Sequence, residues 1–333
     1  MDFFFHAILP YFLGGCFRLE KKLTAALVLG GIAPDLDAFI SWINAVHPTD
    51  ILLVHRGITH SLLFGFLFAL MLLYLGSRKP VKNLLRRFIK FDLEFSARSM
   101  ALVCAGVLLH LAVDYTTTRG VPIFYPWQAM RYSADIFSQM ELAVLAASLV
   151  TLAILWRQRH HPKFNNNLFI LFLIYLLIIG GIRIEGKEAA ASFFEEAGAN
   201  IELHPDFDLF SWMALGKGSE EFEVYRYSRL QEGLTERAEY PRLAVASSRE
   251  QAREAIALAD GLPQVKVFRW RAYAVAVNAT STGNSSWEIE YYDPLVKMQM
   301  GGSNQSSFLR FRPAGYGSVK AVVTKGEAKM KKE

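Results

Sequence analysis

Seven ionisable residues stand out in the apolar first half of the chain: His6, Asp35, Asp37, His55, His60, His110 and Asp114. Ionisable side chains are costly in lipid and mark function there. His110 and Asp114 are spaced i, i+4, so on a helix they share one face, a turn apart. They can then present imidazole and carboxylate to one metal, or the Asp can orient the His. The structural alternative is a His–Asp hydrogen bond inside a bundle. Asp35 and Asp37 are spaced i, i+2 and would point about 200° apart on a regular helix. Gly30, Gly31 and Pro34 predict a broken helix here. In an unwound stretch both carboxylates can converge on a cation; otherwise Asp37 simply caps a new helix. His55 and His60, at i, i+5, do not share a helix face. If Thr59 begins a helix, His55 lies in the preceding loop and can fold back. Thr59 or Ser61 then caps the helix or supports a ligand. The bland readings are an interfacial His55 and a His60 satisfied within the bundle.

These residues must be positioned by apolar segments. A hydrocarbon core needs roughly 20 apolar residues in a helix. Leu23–Val46, Ile58–Gly76, Ser99–Tyr115, Gln139–Trp156 and Asn167–Ile182 come close, and Phe3–Phe17 is a shorter sixth segment that spans, re-enters or lies at the interface. Basic residues crowd alternate loops: Arg18, Lys21 and Lys22; then Arg78 to Arg98; then Arg157, Arg159 and Lys163. By the positive-inside rule those loops are cytoplasmic and the tail after Ile182 is extracytoplasmic. His6, Asp35, Asp37, His60, His110 and Asp114 then fall at one depth near the outer face. Mixed His and carboxylate donors suit Zn, Mn or Fe. Such a set can hold one or two ions, and a second metal suits hydrolysis by a metal-activated water.

Composition agrees with this organisation. Of 333 residues, 52% are hydrophobic and 20% charged, which excludes a disordered chain and argues against a single soluble domain. Residues 1–183 hold 17 Lys and Arg against 10 Asp and Glu; residues 184–333 hold 19 against 21. The basic excess thus sits beside apolar segments, which points to membrane orientation and away from direct nucleic-acid binding. Two cysteines, Cys16 and Cys104, exclude a disulfide scaffold and a cysteine-rich zinc module. The expected architecture is an all-α polytopic membrane helical bundle of about five to six segments over residues 1–183. A soluble, mostly β or α/β domain with a β-rich second half follows over 184–333. In that tail Ser247 and Glu250 sit at capping-box spacing ahead of a helix reaching Leu258. Strand-like runs follow at Val265–Asn278, Trp287–Tyr292, Leu295–Met300, Phe308–Phe311 and Ser318–Val323, with a charged, frayed end over Lys325–Glu333.

Other candidates carry less. His160 and His161 lie in a basic loop and read as solvated. Arg119 and Arg131, with Tyr115, Tyr125 and Trp127, would bind a phosphate, line a site mouth, or form an interfacial belt. Asn278, Asn284 and Asn304 begin N-glycosylation sequons, a pattern short enough to arise by chance. His204-Pro-Asp206-Phe-Asp208 reads as turn chemistry.

The combination of His6, Gly30-Gly-Ile-Ala-Pro-Asp35-Leu-Asp37, His55-Arg-Gly-Ile-Thr-His60-Ser61 and His110-x-x-x-Asp114, in that order, resembles the prokaryotic membrane-bound metal-dependent hydrolases. These are the YdjM-like, LexA-binding, inner-membrane-associated family. The resemblance covers about residues 1–183 and implies a helical inner-membrane protein with a metal-dependent hydrolase site. Carried over residue by residue, it implies metal ligation by His6, Asp35, Asp37, His60, His110 and Asp114. His55 or Asp37 is the expected general base. More loosely, His and Asp on helices resemble zinc-dependent phospholipase C, which favours a phosphoester or lipid-linked substrate. The alternatives are a transporter or proton or cation relay built on the same residues, and a membrane scaffold with a structural metal.

Overall fold

The computed structural model describes residues 2–39, 41, 43, 53–85, 92–158, 166–246, 248–283, 286–301 and 317–331. The chain divides into two units, the first built from 1–47 and 51–184, the second from 185–333. In the first unit, α1 (Phe3–Cys16) and α2 (Lys21–Ile32) are followed by a 3-10 turn, Pro34–Phe39. A second 3-10 turn, Ile58–His60, leads into α3 (Leu62–Ser77) and α4 (Lys79–Leu85). Then come α5 (Ala97–Tyr115), α6 (Leu142–Arg157) and α7 (Asn166–Glu196).

Side-chain caps fix several starts. Asp2 accepts from the Phe5 amide at 2.9 Å, Ser61 from Phe64 and Ser96 from Ser99, both at 3.3 Å. Glycines then let backbones meet. A Cβ on Gly30 would lie 2.0 Å from the Val103 carbonyl oxygen, and one on Gly106 would lie 2.3 Å from that of Leu27. A Cβ on Gly31 would lie 2.5 Å from the His6 carbonyl oxygen. Only glycine allows α2 to approach α1 and α5 this closely, as in small-residue packing between membrane helices.

The described residues do not form the expected bundle of five to six membrane segments. Among the described residues, α5 and α7 are the helices long and apolar enough to cross a membrane. The other apolar helices, α1, α3 and α6, have 14, 16 and 16 residues. At about 1.5 Å per residue they reach only about 21–24 Å, against a hydrocarbon core of about 30 Å. The apolar run from Leu23 is cut where Pro34 opens the 3-10 turn. The helix expected to end near Ile182 instead continues to Glu196. Its added residues are good helix formers, and Ala190 and Phe194 are buried there.

The second unit makes the protein mixed α/β. Strands β1 (Ile201–Pro205), β2 (Ser211–Lys217), β3 (Glu221–Ser228) and β4 (Gly233–Pro241) form an antiparallel meander. A five-stranded sheet follows in the order β5 (Leu243–Val245), β6 (Ala276–Gly283), β7 (Ser286–Tyr292), β8 (Ser318–Thr324), β9 (Glu327–Met330). Strands β5 and β6 are parallel, which demands a crossover; α8 (Arg249–Asp260) and α9 (Pro263–Arg271) supply it. Ala252, Ala255 and Ala259 recur at helical spacing and pack on Trp287, Ile289 and Tyr291. Part of the expected Val265–Asn278 strand is thus helical α9. Leu295–Met300 lies in helix α10 (Pro294–Gly301), which opens on a proline. The expected frayed end carries β9, paired with β8. Ser247, Phe308–Phe311, His160, His161, Asn284 and Asn304 lie outside the described residues.

Candidate metal centre

The two 3-10 turns and α5 bring Asp35, His60, His110 and Asp114 together. One donor atom from each lies within 4.8 Å of every other, and all four residues are buried. His60 Nε2 is 3.3 Å from Asp35 Oδ1 and 3.6 Å from Asp114 Oδ2. His110 Nε2 is 3.7 Å from Asp35 Oδ1 and 3.6 Å from Asp114 Oδ2. Among the described residues, neither His6 Nε2 nor His110 Nε2 has a hydrogen-bond partner, although both are buried.

Neighbouring hydrogen bonds settle which ring nitrogens face inward. The Gly31 carbonyl oxygen, 2.6 Å from His110 Nδ1, can only accept, so Nδ1 carries the proton and Nε2 presents its lone pair. The Thr59 hydroxyl donates to Asp37 Oδ2, so its oxygen accepts from His60 Nδ1 at 3.2 Å. His60 therefore also turns its Nε2 lone pair inward. Donors at about 2.0–2.2 Å from a tetrahedral ion are about 3.4 Å apart. Four of the six donor separations, 3.3–3.7 Å, match that spacing, and the other two lie within 4.8 Å. The donor set fits a divalent cation.

Asp37 takes a different place from Asp35. A 3-10 turn rotates about 120° per residue, so side chains two apart diverge. Asp35 faces His60 Nε2; Asp37 Oδ2 lies behind the same ring, 3.4 Å from Nδ1. Asp37 Oδ1 also accepts from His55 Nδ1 at 2.7 Å. Burial alone would push the Asp37 carboxyl up, but the hydrogen bonds from His55 and His60 outweigh it and hold it below the usual carboxylate range. His6, on α1, stacks on His110 with ring centroids 3.8 Å apart and places Nε2 3.3 Å from Asp114 Oδ1. His55 is the exposed member of the group, its side chain 38% accessible.

Arg56 is not among the site residues expected from the sequence. Its side chain is buried, donating from Nη2 to Asp114 Oδ1 at 2.8 Å and from Nη1 to Thr117 Oγ1 at 3.0 Å. The available signal was a lone arginine between two histidines in an otherwise uncharged stretch. Thr59 supports Asp37 and His60, while Ser61 caps α3. Arg131 spans its own loop, donating to the Arg119 and Gly120 carbonyl oxygens at 2.6 and 2.8 Å. In the second unit Asp206 pairs with Arg226 at 2.8 Å, and Asp208 closes a turn by accepting from the Phe210 amide. A further buried pair, Arg183 on α7 with Glu141, closes at 2.7 Å and was not anticipated.

Two helices long and apolar enough to cross a membrane stand beside a buried cluster of histidine and aspartate, the makings of a membrane-associated protein with a candidate metal centre. The family comparison agrees on the membrane. Residues 1–185, more than half of the chain, match the YdjM inner membrane protein family, and the chain belongs to it. The family description names a location and no reaction. No curated protein and no solved structure matches the chain.

Proposed function

We propose that the first unit is a metal-dependent hydrolase of the inner membrane. Asp35, His60, His110 and Asp114 would hold the ion, with His6 beside them. The observation that carries this reading is the donor geometry: two inward-turned Nε2 lone pairs face two carboxylates at ion-binding spacing. Such donors suit zinc, manganese or iron. A divalent metal supplies Lewis acidity there, polarising a substrate oxygen and making water a nucleophile near neutral pH.

The chain's own residues supply the rest. Asp37 orients His60 from behind and holds His55 through Nδ1. That leaves His55 Nε2 to accept a proton, with Asp37 positioned to stabilise the imidazolium. His55 is also the solvent-exposed member of the group. The substrate class this reading favours is a phosphoester, carried on a lipid, because two of the donors lie on the apolar helix α5 and the other two on turns that flank apolar helices. Arg157, Arg159 and Lys163, ahead of α7, support an extracytoplasmic second unit.

One observation favours a second reading, a scaffold with a structural metal: four protein donors can close a tetrahedral shell, whereas a catalytic ion keeps a position open. The same experiment separates the two. Full-length protein purified in detergent is compared with Asp35→Ala and His110→Ala, each checked for fold by circular dichroism. Metal is measured by mass spectrometry and turnover with a chromogenic phosphodiester. The hydrolase reading expects stoichiometric metal and chelator-sensitive turnover, both lost in folded variants. Folded variants retaining wild-type metal overturn the site. Metal-loaded protein without turnover, with variants that unfold, replaces the hydrolase by the scaffold.

A further inference from the structure

The count of ions follows from Arg56. We propose that the centre takes a single divalent ion, and that the Arg56 guanidinium is the resident cation in the position a second would need; this rests on reading the cluster as a metal centre.

Beyond the four donor atoms already counted, Asp114 carries a second oxygen, Oδ1, which lies 3.3 Å from His6 Nε2. A second ion would use that pair, with Asp114 bridging as carboxylates do in two-metal sites. Arg56 Nη2 is already 2.8 Å from Asp114 Oδ1. It cannot drift away easily, because Nη1 is tied to Thr117 and the side chain is buried. Its backbone is held at a φ of 60°, a left-handed conformation that a non-glycine residue adopts at a cost, which the surrounding turn must sustain.

Charge balance gives the same answer independently. Asp35, Asp37 and Asp114 are buried carboxylates, and Arg56 is a buried cation. With the histidines neutral, as ligation requires, one divalent ion brings this group to neutrality. A second would leave two uncompensated positive charges out of water, which is strongly unfavourable. Arg56 is thus a positioning residue: it occupies one oxygen of Asp114 and leaves the other for the ion.

The test uses full-length protein in detergent, stripped of metal and reloaded to saturation with manganese or with zinc. The expected result is one equivalent per chain by mass spectrometry and an uncoupled single-ion Mn(II) paramagnetic resonance spectrum. Arg56→Lys, which keeps the charge, should stay at one equivalent. Arg56→Met, confirmed folded, should rise from one towards two. Two equivalents or an exchange-coupled spectrum in the wild type overturn this inference and leave the hydrolase reading standing. An Arg56→Met protein that stays at one equivalent overturns the role given to Arg56. No bound ion of either kind overturns both readings.

Discussion

Asp35 and Asp37 are chemically identical and two positions apart, yet they do different work. A 3-10 turn sends them to opposite nitrogens of the His60 ring. Their presence, and the break at Pro34, were legible in the sequence. Their division of labour was not, because spacing along the chain cannot say which ring lies between them. The division is testable. Asp37→Asn should keep the metal at saturation while lowering kcat by about 10- to 100-fold, the usual effect of losing a partner that orients a ligand. Metal analysis beside steady-state rates checks this; metal loss equal to that of Asp35→Ala would make Asp37 a ligand. Arg56 was missed for a related reason. A loop arginine reads as a topology signal until the structure puts its head on Asp114.

At the scale of elements, the site depends on how closely helices pack. The Gly30 and Gly106 contacts set the approach of α2 to α5, and the Gly31 carbonyl fixes the His110 tautomer. Gly106→Ala would place a methyl 2.3 Å from the Leu27 carbonyl oxygen. The expected cost is about 1–3 kcal/mol, as for overpacking, read as a lower Tm in detergent together with weaker metal retention. Gly181→Ala is the control: nothing lies within 4 Å of its Cβ position, so Tm should hold or rise. The Arg183–Glu141 pair ties α7 to the start of α6 and is buried on both sides. Glu141→Ala would remove the carboxylate paired with the buried Arg183 guanidinium, at an expected cost of up to about 3–5 kcal/mol, measurable as a fall in Tm with bound metal unchanged in the protein that remains folded. Glycine pairs and a lone glutamate are common in sequences, so neither contact had a distinctive signature.

At the scale of the whole molecule, an inner-membrane domain with a buried donor cluster precedes a two-sheet α/β unit on the same chain. If Arg157, Arg159 and Lys163 hold the end of α6 and the start of α7 in the cytoplasm, a periplasmic reporter fused after residue 331 should be active. A cytoplasmic reporter at that position should be silent. The reverse pattern would place the second unit inside. Residue types and their order, by themselves, determined the membrane class, the break at Pro34 and six of the buried polar residues, His6, Asp35, Asp37, His60, His110 and Asp114. These depend on hydropathy, charge and local backbone chemistry, which are properties of neighbouring residues. Only the tertiary structure decided that 16-residue apolar helices fall short of a span, that α7 runs on to Glu196, and that Leu295–Met300 is helix. It also decided which atoms of Asp35, His60, His110 and Asp114 meet. Helix length is set by where packing and capping end it, and donor geometry by contacts between segments as much as 108 residues apart, such as His6 with Asp114. No local pattern encodes either.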